Sequence, residues 1–177
     1  ATGLHGKEIV VFEDLYRENV LLATHADIND EGQTIKVKNP EIGTTASFEG
    51  EKEIDPLDKV TLTDTVSYKD LTPGKEYRVT GVLMDKSNGK ELLINGEKVT
   101  AEATFVATEA SGSVDVTFIF DATGLHGKGI VVFEDLYREN VLLATHADIN
   151  DEGQTVKIKN PEIGTKATAD SKKEITA

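Results

Sequence analysis

"GIVVFEDLY", residues 129–137, places Ile130, Val132 and Leu136 on every second position, the period of a β-strand with one buried face. Glu134 falls on that same face. The string therefore predicts both a strand and a carboxyl directed at the core. Working outward, "KVTLTDTVSY", "KEYRVTGVLM", "KVTAEATFVAT", "SVDVTFIF" and "QTVKIKN" alternate in the same way. Turn signals at Pro73-Gly74, Asn88-Gly89, Asn95-Gly96 and Ser111-Gly112 separate them. No stretch sustains a period of 3.6 residues, although "NVLLATHAD" reads as either a strand or a short helical turn. Short strands in this number predict an all-β, immunoglobulin-like β-sandwich.

The opening string is also a repeat marker, because "EIVVFEDLY" stands at residues 8–16. Residues 1–44 match 122–165 at an offset of 121, differing at Glu8/Gly129, Ile35/Val156 and Val37/Ile158, so 44 − 3 = 41 positions are identical. An offset of that size is one domain, which predicts a tandem array cut out of phase. On this reading residues 1–43 are the C-terminal part of a preceding repeat, 44–164 a complete repeat and 165–177 the start of the following one.

Composition narrows the partners. Of the 177 residues, 19 are Lys or Arg and 32 are Asp or Glu, a net charge of −13 that argues against nucleic acid or an anionic membrane surface. There is no Cys, which removes disulfides and thiolate metal sites. No apolar run has the length of a membrane span, so membrane insertion is not expected, and an export signal or anchor is expected outside these residues.

Alternation also sorts the polar residues. In "EIGTTASF" Thr44 shares the face of Ile42, Ala46 and Phe48, while Thr45 takes the other. In "VTLTDTVSY" Asp64 lies with Val60, Leu62, Val66 and Tyr68. In "QTVKIKN" Gln154 lies with Val156 and Ile158, leaving Thr155, Lys157 and Lys159 to face water. With Glu134 that makes four inward polar groups on four strands. Buried carboxyls cost free energy unless paired or protonated, so one shared cluster is a simpler reading than four accidents. His146, eight residues before Gln154, supplies an imidazole to it, whereas His126 in "TGLHGKG" reads as a turn residue.

A hydroxyl, an imidazole, two carboxyls and a carboxamide are the parts of an acyl transfer. Thr44 would be the nucleophile and His146 its base. Asp64 and Glu134, sharing a proton, would polarise the Gln154 carbonyl as ammonia leaves.

Together, "GTTA", "TLTDTVSY", "GIVVFEDLY" and "THADINDEGQT" resemble the VaFE-repeat domains of Gram-positive surface adhesins, which form an intramolecular Thr–Gln ester spontaneously. The resemblance covers 44–164. It implies a crosslink between Thr44 and Gln154, assisted by Asp64, Glu134 and His146, with no cofactor and no metal. It further implies a structural stalk repeat on the bacterial cell surface, held to the wall by other regions and flanked by repeats of the same protein. Its host receptor stays unknown. The reaction would turn over once, so the protein would not be an enzyme. The duplicated segment carries equivalents at Glu13, His25 and Gln33, and Thr165 matches Thr44. These half-sites are complementary, which raises strand complementation between chains. Lys166 stands where the complete repeat has Thr45, consistent with Thr44 as the reacting residue.

Other readings compete. A Lys–Asn isopeptide of CnaB type needs an inward Lys on the first strand, and none is there. A host-ligand-binding adhesin sandwich without a crosslink should expose aromatics, yet there is no Trp and aromatics are 6%. Hydrolysis of an external substrate needs a cleft, and these residues face a core. The loop "DINDEG" has the opening spacing of a calcium loop at Asp148, Asn150, Glu152 and Gly153, but Lys159 occupies the twelfth position, so an ordinary acidic turn is expected.

Overall fold

The computed structural model describes residues 3–167. Residues 168–177, most of the expected head of a following repeat, lie outside the described residues. Thr165 is exposed and belongs to no strand.

The strands run in chain order as β1 (Glu8–Val10), β2 (Glu13–Arg17), β3 (Val20–His25), β4 (Thr34–Lys36), β5 (Glu41–Ser47), β6 (Glu53–Ile54), β7 (Val60–Lys69) and β8 (Glu76–Asp85). Then follow β9 (Lys90–Glu91), β10 (Leu93–Ile94), β11 (Glu97–Lys98), β12 (Thr100–Val106), β13 (Gly112–Phe120), β14 (Gly129–Arg138), β15 (Val141–His146) and β16 (Thr155–Ile158). The ambiguous "NVLLATHAD" is thus a strand, β15.

Two sheets make an immunoglobulin-like sandwich. The smaller has the order β13-β7-β5, and the larger β12-β8-β14-β16-β6, with β15 beside β14 and β9 beside β8. The period-two strings supply the facing surfaces. Leu62, Val66 and Phe118 of the smaller sheet and Val79, Leu83 and Leu136 of the larger are all fully buried in one core. Each such side chain contributes about 1.5–3 kcal/mol of burial.

Two features of the topology position the site. First, β14 shares one edge between two partners: β16 pairs with Gly129–Val131 and β15 with Glu134–Arg138. The end of β15 and the start of β16 therefore meet near Val132 and Glu134. Second, the chain changes sheets after β5, the first strand of the sandwich. β5 pairs with β7, a tight turn follows at Phe48–Glu51, and β6 then runs parallel to β16 in the larger sheet. Glu49 and Gly50 both adopt positive φ (50° and 84°), the geometry of a two-residue primed turn. The expected unit boundary at residue 44 falls inside β5, which begins at Glu41.

The duplicated segment repeats the pairing but not the burial. Glu13 faces His25 as Glu134 faces His146, and the Val11 amide donates to the Gln33 carbonyl as Val132 does to Gln154. Yet Leu15 is 61% exposed where its counterpart Leu136 is 0%. Hairpin register is local, whereas burial needs a neighbouring sheet, and among the described residues β8 pairs with β14 and not with β2.

Candidate functional site

The four predicted inward groups come together from separate segments of the chain, with His146 at their edge. Ala46 pairs with Asp64 and Thr44 with Val66, so Thr44 and Asp64 are diagonal neighbours on the inner face of the smaller sheet. From the larger sheet, Glu134 lies opposite Gly81 on one side and His146 on the other. The two sheets touch here: Thr44 Oγ1 donates to Glu134 Oε2 at 3.3 Å. Gly81 makes the room, since a Cβ on it would sit 2.5 Å from Cζ of Phe118. The Phe118 ring thus packs on β8 at Gly81, the residue paired with Glu134.

Gln154 arrives by backbone contacts. The Val132 amide donates to its carbonyl at 3.2 Å, and the Ala46 amide donates to the Gly153 carbonyl at 3.1 Å. The last strand is thereby seated between β14 and the Thr44-bearing strand. Gln154 and His146 face β14 positions two residues apart, a separation of roughly 7 Å along one strand.

The cluster is dry. Asp64 and Gln154 are 0% exposed and Glu134 is 1%. Both Asp64 carboxylate oxygens, Oε1 of Glu134 and both terminal atoms of the Gln154 carboxamide have no hydrogen-bond partner. An unsatisfied buried polar atom costs about 1–3 kcal/mol, and a concentration of them in one place marks a reactive or strained site rather than a packing solution. Burial, and then the neighbouring Asp64, push the Glu134 carboxyl up to about 10. Asp64 is raised as well, chiefly by burial. The pair therefore carries a proton at neutral pH, as two adjoining buried carboxyls must.

His146 is anchored by a residue that alternation did not reveal. Its Nε2 lies 2.8 Å from Oδ2 of Asp151, whose Oδ1 accepts the Gly153 amide at 2.7 Å. The imidazole contact comes first among the causes that hold Asp151 below the ordinary carboxylate range. No hydrogen bond joins His146 to Thr44, whose hydroxyl rests on Glu134 instead. The signal for Asp151 was the Asx-turn string "DEG", read only as an acidic turn. In the same loop Asp148 accepts the Asn150 amide, and among the described residues no cluster of three His, Asp or Glu is arranged to hold a metal ion.

Thr155 corrects the alternation. Expected to face water, it is 3% exposed, because Lys86 Nζ lies 3.0 Å from its hydroxyl and that hydroxyl donates to the Asp151 carbonyl. The half-site in the duplicated segment keeps His25 Nε2 at 2.6 Å from Asp30 Oδ2, but Glu13 is exposed and, among the described residues, no strand equivalent to β5 or β7 covers it.

No curated protein matches the chain. Among solved structures, the bacterial adhesin from Mobiluncus mulieris containing intramolecular disulfide, isopeptide and ester bond cross-links is similar in two crystal forms. In space group P21 the identity is 19% and the TM-score 0.61; in P1 they are 18% and 0.62. Each alignment covers 70% of this chain and 58% of that one, so the chain spans well under two thirds of the adhesin structure. The likeness shows a shared fold. The family model for the T-Q ester bond containing domain matches residues 1–37 and 40–158, most of the chain and both copies of the repeated segment, which bears out the resemblance carried by the Thr, Asp, Glu, His and Gln pattern. The chain belongs to the T-Q ester bond containing domain family.

Proposed function

We propose that Thr44 and Gln154 are the residues that this chain joins, and that the ester forms without any other catalyst. The observation that carries the assignment is the Thr44 hydroxyl resting on the proton-bearing Glu134, with the fully buried Gln154 on the segment hydrogen-bonded to the strand of Thr44 and to that of Glu134. With Nε2 turned to Asp151, His146 offers Nδ1 to take the hydroxyl proton. Thr44 Oγ1 then attacks Cδ of Gln154, while the Asp64–Glu134 pair donates towards the amide oxygen. Collapse breaks the Cδ–Nε2 bond. The proton held by His146 passes to the leaving nitrogen, so one hydroxyl and one primary amide become one ester and one ammonia. Effective molarity in a packed core replaces turnover, and exclusion of water preserves the product.

The bond would join the first and last strands of the unit, so tension entering at β5 would pass to β16 without loading the hydrogen-bond ladder. That geometry supports a structural stalk repeat of a surface adhesin, resistant to force and proteases, outside the cell and wall-anchored elsewhere. The M. mulieris adhesin with its ester cross-links offers the precedent. The near-identity of 1–44 and 122–165 supports the tandem reading with boundaries 1–43, 44–164 and 165–177, and neighbouring repeats as partners. It also supports strand complementation between chains.

Intact-mass measurement tests the proposal. The purified chain is expected to be one ammonia lighter than its sequence, and mild hydroxylamine should cleave the link. A chain of full sequence mass would defeat it.

A further inference from the structure

We propose that Lys52 is a positioning residue for this ester, clamping the strand that bears Thr44 to the turn that delivers Gln154. Lys52 Nζ donates to two backbone carbonyls at 2.5 Å each: that of Ala46, two residues after Thr44, and that of Gly153, immediately before Gln154. Those carbonyls belong to the two segments that the bond must join. The same ammonium therefore fixes both reactants from behind, through backbone rather than side chain.

Local structure explains how it gets there. The primed turn at Glu49–Gly50 reverses the chain so that Lys52 folds back along β5. Its own carbonyl accepts the Lys157 amide at 2.8 Å, which begins the parallel pairing of β6 with β16. Backbone and side chain of this one residue thus hold the last strand at two points. A third contact, the Ala46 amide on the Gly153 carbonyl, closes the arrangement. Without Lys52 the Gly153 carbonyl keeps one donor, and the turn carrying Gln154 is free to shift relative to Thr44. A displacement near 1 Å is enough to cost a reaction of this kind on the order of 10²-fold in rate. The ammonium has a second effect, since Asp64 lies within its field and is held lower than burial alone would place it. Lys52 touches neither reacting atom, so its part is positional.

The inference rests on the Thr44–Gln154 assignment, and the experiment separates the two. Wild-type protein, Lys52→Met and Lys52→Arg are purified rapidly and the loss of ammonia is followed by intact mass. Melting is measured on Thr44→Ala with and without Lys52→Met, where no bond can form. Lys52→Met is expected to slow ammonia loss at least tenfold, Lys52→Arg to recover most of the rate by keeping its donors, and the bondless melting points to differ little. Ammonia loss at the wild-type rate in Lys52→Met overturns the role. So does an equal slowing in both variants that tracks a fall in the bondless melting point. Should Lys52→Met not fold, Lys52→Gln takes its place: ammonia loss at least tenfold slower than in Lys52→Arg upholds the clamp, and a wild-type rate ends it. If wild type itself loses no ammonia, the underlying assignment fails and not merely the clamp.

Discussion

The hydroxyl of Thr44 and the carboxyl of Glu134, 90 residues apart in sequence, meet at 3.3 Å across the two sheets of the sandwich. Every other element of the site is arranged around that contact. Asp64 lies beside it on the threonine's own sheet, and His146 beside it on the glutamate's.

Removing either end of the bond gives the simplest prediction. Thr44→Ala and Gln154→Ala should each retain full sequence mass and a β-sheet circular dichroism spectrum, while melting at a much lower temperature. By analogy with a disulfide closing a loop of about 100 residues, the loss is up to ~4–5 kcal/mol in the entropic account. An ammonia deficit persisting in either variant would show that the bond lies elsewhere.

The protonated carboxyls predict a pH dependence of the bondless fold. Glu134 is raised from 4.5 to about 10 and Asp64 shifts the same way, so both favour the folded state in their neutral forms. That stability is fully present below pH 4.5 and is lost as pH rises towards 10. Asp85 and Asp151 are depressed, and their contribution fades only as pH falls below 3.8. The melting temperature of Thr44→Ala should therefore decline from about pH 5 to pH 10, and adding Glu134→Gln should flatten most of the decline. A profile identical in the two proteins would contradict the assignment.

Asp151→Asn keeps the shape of the loop but loses the charge that orients His146. Ammonia release should slow by roughly 10²-fold or more, the scale on which positioned acid–base groups act. Time-resolved mass spectrometry on freshly purified protein checks this. An unchanged rate would leave Asp151 as a loop cap only.

Gly81→Ala probes the apolar wall. The new methyl meets Phe118 at 2.5 Å, and displacing that ring should cost about 1–3 kcal/mol and loosen the surround of Glu134. Slower ammonia loss and a lower melting point are expected together. Thermal scans showing no change would mean the ring gives way freely.

The duplicated segment predicts an outcome for peptide mapping. Gln33 precedes Thr44 by 11 residues and is fixed to Val11 within its own hairpin. The dominant crosslinked peptide should join Thr44 to Gln154 and leave Gln33 unreacted. A major Thr44–Gln33 product would reverse this.

Strand periodicity made much of the site legible. It turned Thr44, Asp64, Glu134 and Gln154 inward, and all four came to the same place because each strand had only one core to face. It failed where position depends on something other than phase. Lys52 reaches the site around a turn, so its distance from Thr44 along the chain says nothing of its role. Asp151 acts from a loop, which has no period. Thr155 is hidden from water by Lys86, in the turn after β8 and remote in sequence, and alternation cannot register such a lid. The parallel pairing of β6 with β16 rests on only two residues, too few to leave a pattern.

Because Thr44 lies in the first strand and Gln154 at the threshold of the last, their ester would convert almost the whole unit into a covalent ring. A single peptide-bond cut anywhere on that ring opens it without parting the chain. The unit would then survive a first nick with its ends still connected, and only a second scission, or hydrolysis of the ester, could break the fibre.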